Sequence, residues 1–358
     1  MEEQSDNQLL EYFNRRRNVI NEKQKRCRDC KEKESPATPY KENTPKEELV
    51  LEHVIQFKKQ FQQHIGENRE LFLYPKNECE VYKFICTTIR PTKLGFLELY
   101  NYEECAQRLS RFIQYEELDP PDEFPKCIPS PANVARWQKG DSFDISILLA
   151  SLLIGVGYDA YCVYGIAPKE ITTKNEALMD CDFLPGLRQP DENTDVKEEF
   201  NLDEVIFPKR VTDSTFDKAV VENEQRAKEE LATKALTIDD DEPDELTPDL
   251  YLGKRIHCWV LLKKGKRGVT QDVFIEPSTG KIYDIKNSPY LLVDAIFNHT
   301  NFFIHMQPRH KVDEIKFELY ETITWEYVML HDELFRNAGE EEVHDMEDQS
   351  VREVLDSW

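Results

Sequence analysis

Residues 138–163 read QKGDSFDISILLASLLIGVGYDAYCV, the pattern of a helix whose first turn carries a hydroxyl, Ser142. Much further along, His257 sits in an apolar, strand-like run, RIHCWVLL, and Glu276 closes another, VFIEPSTG. A thiol acyl-transfer site needs a nucleophile at the first turn of a helix, where unpaired N–H groups and the dipole favour an anion. It also needs an imidazole base and a carboxylate to orient that base. Ser142, His257 and Glu276 supply these parts in that order.

Each of the three also has a plainer use. Ser142 beside Asp141 can serve as a helix cap, since both residue types are favoured there without any catalysis. His257 alternates with Ile256 and Cys258, the pattern of a histidine in a half-buried strand. Glu276 before Pro277, Ser278, Thr279 and Gly280 can simply shape a turn. Spacing along the chain does not establish that the three converge. Cys27 and Cys30 form a C-x-x-C pair, half of a zinc site. No second closely spaced pair follows, so two exposed thiols in a basic arm are expected, with no metal and no cofactor.

Several elements must position these residues. Thr44, Pro45 and Glu47 form a capping box with proline at the first helical position, which predicts a helix running to Gly66. Val50, Val54, Phe57, Phe61 and Ile65 fall on one face of it, as core or as a surface for a partner helix. Leu99, Cys105, Leu109 and Phe112 predict a second amphipathic helix. The segment DAYCVYGIA reads as a strand, YLGKRIHCWVLLKKGKRG as a strand and turn, and VFIEPSTGKIYDI as a hairpin. LLVDAIFNH reads as helix-like, and FELYETITWEYVML closes the ordered part.

The chain holds 46 Lys+Arg against 70 Asp+Glu, a net of −24, which argues against binding nucleic acid or anionic lipid through overall charge. Its longest apolar run, 145–157, falls short of the ~20 residues a helix needs to span a bilayer, and no secretory signal is expected at the N-terminus. Nine cysteines, an odd and scattered set, predict a reducing, cytosolic setting. The expected organisation is a charged arm over 1–43, with a basic stretch at 15–33, then the first half of a domain over 44–180. An acidic insertion at 181–250, the second half of the domain at 251–330 and an acidic tail at 331–358 follow.

The strings LYPKNECEVYKFICTTIRPT, LELYNYEECAQ, WQKGDSFDISILLASLLIGVGYDAYCVYG, RIHCWVLL, FIEPSTG, IFNHTNFFIHMQ and WEYVML together resemble the subunit-seven family of the nexin–dynein regulatory complex. These are transglutaminase-like proteins of motile cilia and flagella. The resemblance runs from about 38 to 331, interrupted by the acidic insertion, and covers only part of a usual member, which continues into further domains and coiled coil. It implies an α+β, papain-related transglutaminase-like fold, with a nucleophile-bearing helix packed on an antiparallel sheet. Family members read Lys-Gly-Asn-Cys-Phe-Asp at the nucleophile. Ser142 therefore holds the cysteine position and Asp141 the asparagine position, His257 matches the family histidine, and Glu276 stands where the family has aspartate.

Two departures fall inside the implied triad. A cysteine near His⁺ and a helix N-terminus can be stored as a thiolate, whereas a serine must lose its proton during attack. Glu for Asp adds a methylene, and an error of about 1 Å in positioning costs ~100-fold in rate. A carboxylate at 141 would also oppose a developing oxyanion, while capping the helix by ~1 kcal/mol. The expected function is thus a non-catalytic structural subunit of the axonemal complex, contacting its other subunits, with residues 15–33 meeting acidic tubulin tails or an acidic coiled coil. No nucleic acid or membrane partner is expected, and the location is the cytoskeleton of the cilium or flagellum. The alternatives are a serine-based acyl-transfer enzyme using Ser142, His257 and Glu276, and a groove that holds a partner's extended chain without cleaving it.

Overall fold

The computed structural model describes residues 22–33, 38–65, 69–175, 251–307 and 310–329. The expected acidic insertion and acidic tail, residues 1–21 of the arm and Gly66 lie outside the described residues.

One helix organises the rest. Ser142–Val156 has every residue from Ser142 to Leu153 buried. A helix apolar on all sides must be covered on all sides, and this one lies between a sheet and two shorter helices, Tyr102–Phe112 and Pro131–Trp137. The chain at Arg90 and Thr92 closes on it directly, Thr92 N–H donating to the Ser151 carbonyl at 2.9 Å and Arg90 N–H to Ser151 Oγ at 3.1 Å. A Cβ at Gly155 would stand 2.1 Å from the Thr92 oxygen, so only glycine admits this approach. The helix stops at Gly157, whose φ of +100° suits a residue without a side chain.

Seven strands form the main sheet: β3 (Ala160–Ile166), β4 (Ile256–Leu262), β5 (Val273–Ile275), β6 (Ile282–Asp284), β7 (Leu292–Phe297), β8 (Phe302–His305) and β9 (Trp325–Tyr327). Their order is β6-β5-β4-β3-β7-β8-β9, and every neighbouring pair is antiparallel. β1 (Gln114–Tyr115) and β2 (Lys139–Gly140) form a separate parallel pair just before the central helix. The sheet is covered on both faces. On β4, Cys258, Val260 and Leu262 face the central helix, while Trp259 and Leu261 join a second layer with Phe274, Tyr290, Phe317 and Trp325. This is the two-residue alternation of a strand whose two sides are both buried.

The α+β class with an antiparallel sheet agrees with the expectation, as do β3, β4 and the β5–β6 hairpin. The helix of Pro45–Ile65 carries the expected capping box: Thr44 N–H donates to Glu47 Oε2 at 2.9 Å, and Glu47 N–H donates to Thr44 Oγ1 at 3.3 Å. Its stripe is mostly core, with Val54 and Phe61 buried and Val50 and Phe57 packed beside them. Ile65 is exposed.

Two expectations are corrected. LLVDAIFNH is the strand β7, not a helix. A short continuous apolar run does not reveal its period, and burial on both sides removes the polar alternation that would mark a strand. The second amphipathic helix begins at Tyr102 and leaves Leu99 in a preceding 3₁₀ turn. Asn101 sets that start, its Oδ1 accepting from the N–H groups of Glu103 and Glu104 at 2.8 and 3.2 Å.

Candidate functional site

The first turn of the central helix is built around Asp141. Its Oδ1 accepts from Phe143 N–H at 2.9 Å and from Asp144 N–H at 3.1 Å, and Asp144 Oδ2 accepts in return from Asp141 N–H at 3.3 Å. This is a capping box, so Asp141 is the expected helix cap and Ser142 is the first helical residue. The Asp144 half of the box, three residues past the cap, goes beyond the cap expected at Asp141 and Ser142.

The fold brings the three sequence-derived residues into one region. β4 pairs with β3, and the central helix packs on both, so the start of the helix lies against the start of β4. Ser142 Oγ accepts a hydrogen bond from Cys258 N–H at 3.2 Å, one residue beyond His257. Glu276, at the end of β5, meets His257 Nε2 at 2.9 and 3.1 Å through its two oxygens. Ser142, His257 and Glu276 are all 0 % exposed.

Glu276 is held from several sides. Ser278 N–H and Oγ donate to Oε1 at 3.1 and 2.7 Å, and the Tyr290 hydroxyl donates to Oε2 at 3.0 Å. Burial disfavours its charge, but the imidazole and these donors outweigh that and hold its pKa below the usual carboxylate value. Tyr290 moves the opposite way, raised by burial and by the charge of Glu276. The Tyr290 ring also stacks on Trp259 at 3.9 Å between centroids, which fixes the hydroxyl. Neither Tyr290 nor Ser278 carried a sequence signal for this role.

The base and the hydroxyl are not joined. His257 Nδ1, the nitrogen left over from the Glu276 contact, is buried without a hydrogen-bond partner. A general base must reach the proton it removes, at roughly 2.6–3.2 Å or through one water. The carboxylate–imidazole half of a triad is therefore assembled, while Ser142 Oγ is bound to the backbone of Cys258. An open cleft of about 640 Å³ lies nearby, lined by Ser110, Tyr115, Trp137, Lys139 and Lys174 among others. Neither Ser142 nor His257 lines it. Tyr115 does, with its ring 6.5 Å from that of His257 and its hydroxyl donating to the Thr172 carbonyl at 2.7 Å.

The basic segment supplies an unexpected part of the site. Residues Glu22–Lys33 form a helix, and Lys23 on it is only 5 % exposed. Its Nζ donates to Asp141 Oδ2 at 2.5 Å and to Asp144 Oδ1 at 2.7 Å. Burial works against the ammonium, yet the two carboxylates outweigh it and raise the Lys23 pKa. Asp144 is pushed up to about 7 by burial and the neighbouring Asp141 charge, against the pull of Lys23. Next to Lys23, Arg26 pairs with Glu116 in a two-pronged contact and lies 5.9 Å from the centroid of the Trp137 ring.

Two expectations about this segment are thereby corrected. Cys27 is not an exposed thiol: it is buried, with its sulfur 3.0 Å from that of Cys127. Lys23 and Arg26 are engaged within the domain, so the basic stretch does not present all its charge outward. The acidic group at position 141, read as an uncompensated charge beside Ser142, has an ammonium against it. Nothing in the sequence pointed to Lys23, which lies 118 residues before its first partner. Among the described residues no cluster of His, Cys, Asp and Glu could hold a metal ion. Among them also, no helix is long and apolar enough to cross a membrane.

Comparison with known proteins bears on the same region. A family model described as the CEP76 peptidase-like domain matches residues 251–328, the half of the domain that contains His257 and Glu276 but not Ser142. Over 298 residues, 81 % of this chain, the sequence is 35 % identical to dynein regulatory complex subunit 7 of Xenopus tropicalis. It is 37 % identical over 302 residues, again 81 % of the chain, to the protein of that name in Homo sapiens. Over 88 % of the chain it is 31 % identical to the coiled-coil domain-containing protein lobo of Drosophila melanogaster. The chain spans about a third of the length of these relatives, covering 34 %, 34 % and 38 % of them.

Proposed function

From the premise that this chain is homologous to dynein regulatory complex subunit 7 and to lobo over most of its length, we propose that it is a non-catalytic structural subunit of the nexin–dynein regulatory complex. In this reading its transglutaminase-like, papain-related domain is a docking module in the axoneme of motile cilia or flagella. It acts by protein–protein contact with other subunits and does not turn over substrate.

One observation carries the non-catalytic part: Ser142 Oγ is buried and accepts from Cys258 N–H, while His257 Nδ1 has no hydrogen-bond partner. The hydroxyl's hydrogen bond ties the helix start to β4, and among the described residues no imidazole hydrogen-bonds to it. The engaged Lys23 adds a buried ion-pair cluster at the residues flanking Ser142. Contact with acidic tubulin tails, if made through 15–33, falls to the basic residues other than Lys23 and Arg26.

The test has two arms. An epitope-tagged chain expressed in cells bearing motile cilia should remain with axonemes after detergent extraction and co-purify with regulatory-complex subunits; recovery only in the detergent-soluble fraction would overturn the structural reading. Purified chain should not react with a fluorophosphonate probe. The serine acyl-transfer reading keeps one observation in its favour, the assembled His257–Glu276 pair. Labelling at Ser142 that His257→Ala abolishes would establish that alternative.

A further inference from the structure

The helix Glu22–Lys33 is strongly polar in composition, so its attachment rests on specific contacts instead of a broad apolar face. Lys23, Arg26 and Cys27 follow the i, i+3, i+4 spacing that places side chains on one side of a helix. Lys23 reaches Asp141 and Asp144, Arg26 reaches Glu116, and Cys27 reaches Cys127. Cys127 is on a firmly held stretch, forming a parallel bridge with Lys76, and the next residue, Ile128, donates its N–H to the Lys76 carbonyl at 2.8 Å. Both thiols are free and buried, 7 % and 8 % exposed, and their sulfurs stand 3.0 Å apart.

We propose that Cys27 and Cys127 form a redox-modification site, at which a peroxide converts the thiol pair into a disulfide that staples the N-terminal helix over the start of the central helix. One thiol, once deprotonated, attacks a peroxide oxygen, giving a sulfenic acid and releasing hydroxide, which takes up the proton to become water. The second thiol attacks the sulfenic sulfur, the S–S bond forms, and a second water leaves with the remaining proton. Both sulfurs are oxidised and the peroxide is reduced, in a balance of two thiols and one hydrogen peroxide to one disulfide and two waters.

A second thiol pair, Cys162 and Cys258, also meets in the core, but both are 0 % exposed on the central strands β3 and β4, whereas Cys27 and Cys127 join the N-terminal helix to the rest of the domain. The hydrogen bond from the neighbouring thiol and burial hold Cys127 well above the usual thiol value, an effect that the ammonium of Lys23 offsets only in part. The staple would close a loop of about a hundred residues, whose open form has large conformational freedom to lose. Reduced, the helix is held by these side-chain contacts alone; oxidised, it is held covalently as well.

The experiment uses the purified full chain, reduced and then treated with hydrogen peroxide, quenched by alkylation, and mapped by mass spectrometry without reductant. The expected product is a peptide linking Cys27 to Cys127 that dithiothreitol reverses. Hydrogen exchange in residues 22–33 should slow by about tenfold or more in the oxidised chain, as expected when local opening is suppressed, and Cys127→Ser should abolish both changes. The wild-type map decides even if that variant folds poorly. Recovery of both cysteines as alkylated thiols, or of Cys27 linked to Cys30 or to a second chain, would overturn the proposal. Because the readout is a covalent link within the purified chain, its outcome is separable from whether the chain enters axonemes.

Discussion

Ser142 Oγ accepts a hydrogen bond from the backbone N–H of Cys258 at 3.2 Å, across 116 residues of sequence. The hydroxyl thus satisfies a buried donor at the seam between the central helix and β4. His257, immediately before Cys258, turns its Nε2 toward Glu276. Ser142 is a tie between two core elements.

Ser142→Ala should lower stability by ~1–3 kcal/mol, the cost of leaving a buried N–H without its acceptor. Urea unfolding followed by circular dichroism measures it. An unchanged midpoint would mean that the Cys258 N–H finds another acceptor and that Ser142 holds nothing together.

Lys23→Met should destabilise the chain by ~3 kcal/mol or more, because it leaves Asp141 as a buried carboxylate without its counter-charge and pushes the Asp144 pKa further up. Hydrogen exchange should rise locally, in residues 22–33 and at the N–H groups of Phe143 and Asp144. A stability equal to that of the parent chain would show that the helix contributes nothing at neutral pH.

Asp144 sets a pH dependence of definite sign. Its folded value is about 7 against an ordinary 3.8, so the folded state holds a proton that the unfolded chain has released. The associated stability is fully present below pH 3.8 and is lost as pH rises through about 7. Between pH 5 and pH 8 the midpoint of the parent chain should fall more steeply with rising pH than that of Asp144→Asn. Parallel curves for the two proteins would refute the assignment.

Glu276 works in the opposite sense. Its pKa lies below the ordinary 4.5, so the stability it contributes is present above that value and is lost as pH falls through the lower folded value. Glu276→Gln should cost ~3 kcal/mol at neutral pH by breaking the buried contact with His257. It should also flatten the acid limb of the stability curve below pH 4.5, which a pH series of thermal melts would record.

Gly165 tests the packing of the sheet itself. It sits at the register shift between β3 and β7, where an added Cβ would lie 1.9 Å from the Leu292 oxygen. Gly165→Ala should destabilise by more than ~1 kcal/mol and open the β3–β7 hydrogen bonds. Proton exchange at those amides reads this out.

The α+β class came from the family resemblance; the helix beginning at Ser142 and the order of hydroxyl, imidazole and carboxylate were legible in the residues themselves. So were the Thr44–Glu47 box and the hairpin of β5 and β6. These features depend on groups a few residues apart, through caps, turns and runs of apolar side chains, and such short-range physics is written directly in the order of residues. β7 was misread because burial on both faces erases the alternation that betrays a strand. Tertiary structure alone decided that Lys23 closes on Asp141 and Asp144, that Cys27 meets Cys127, and that Ser142 binds Cys258 N–H while His257 Nδ1 stays unbonded. Those outcomes join groups a hundred or more residues apart, and which polar atoms meet inside a core is set by how the elements pack, a long-range result that no local pattern encodes.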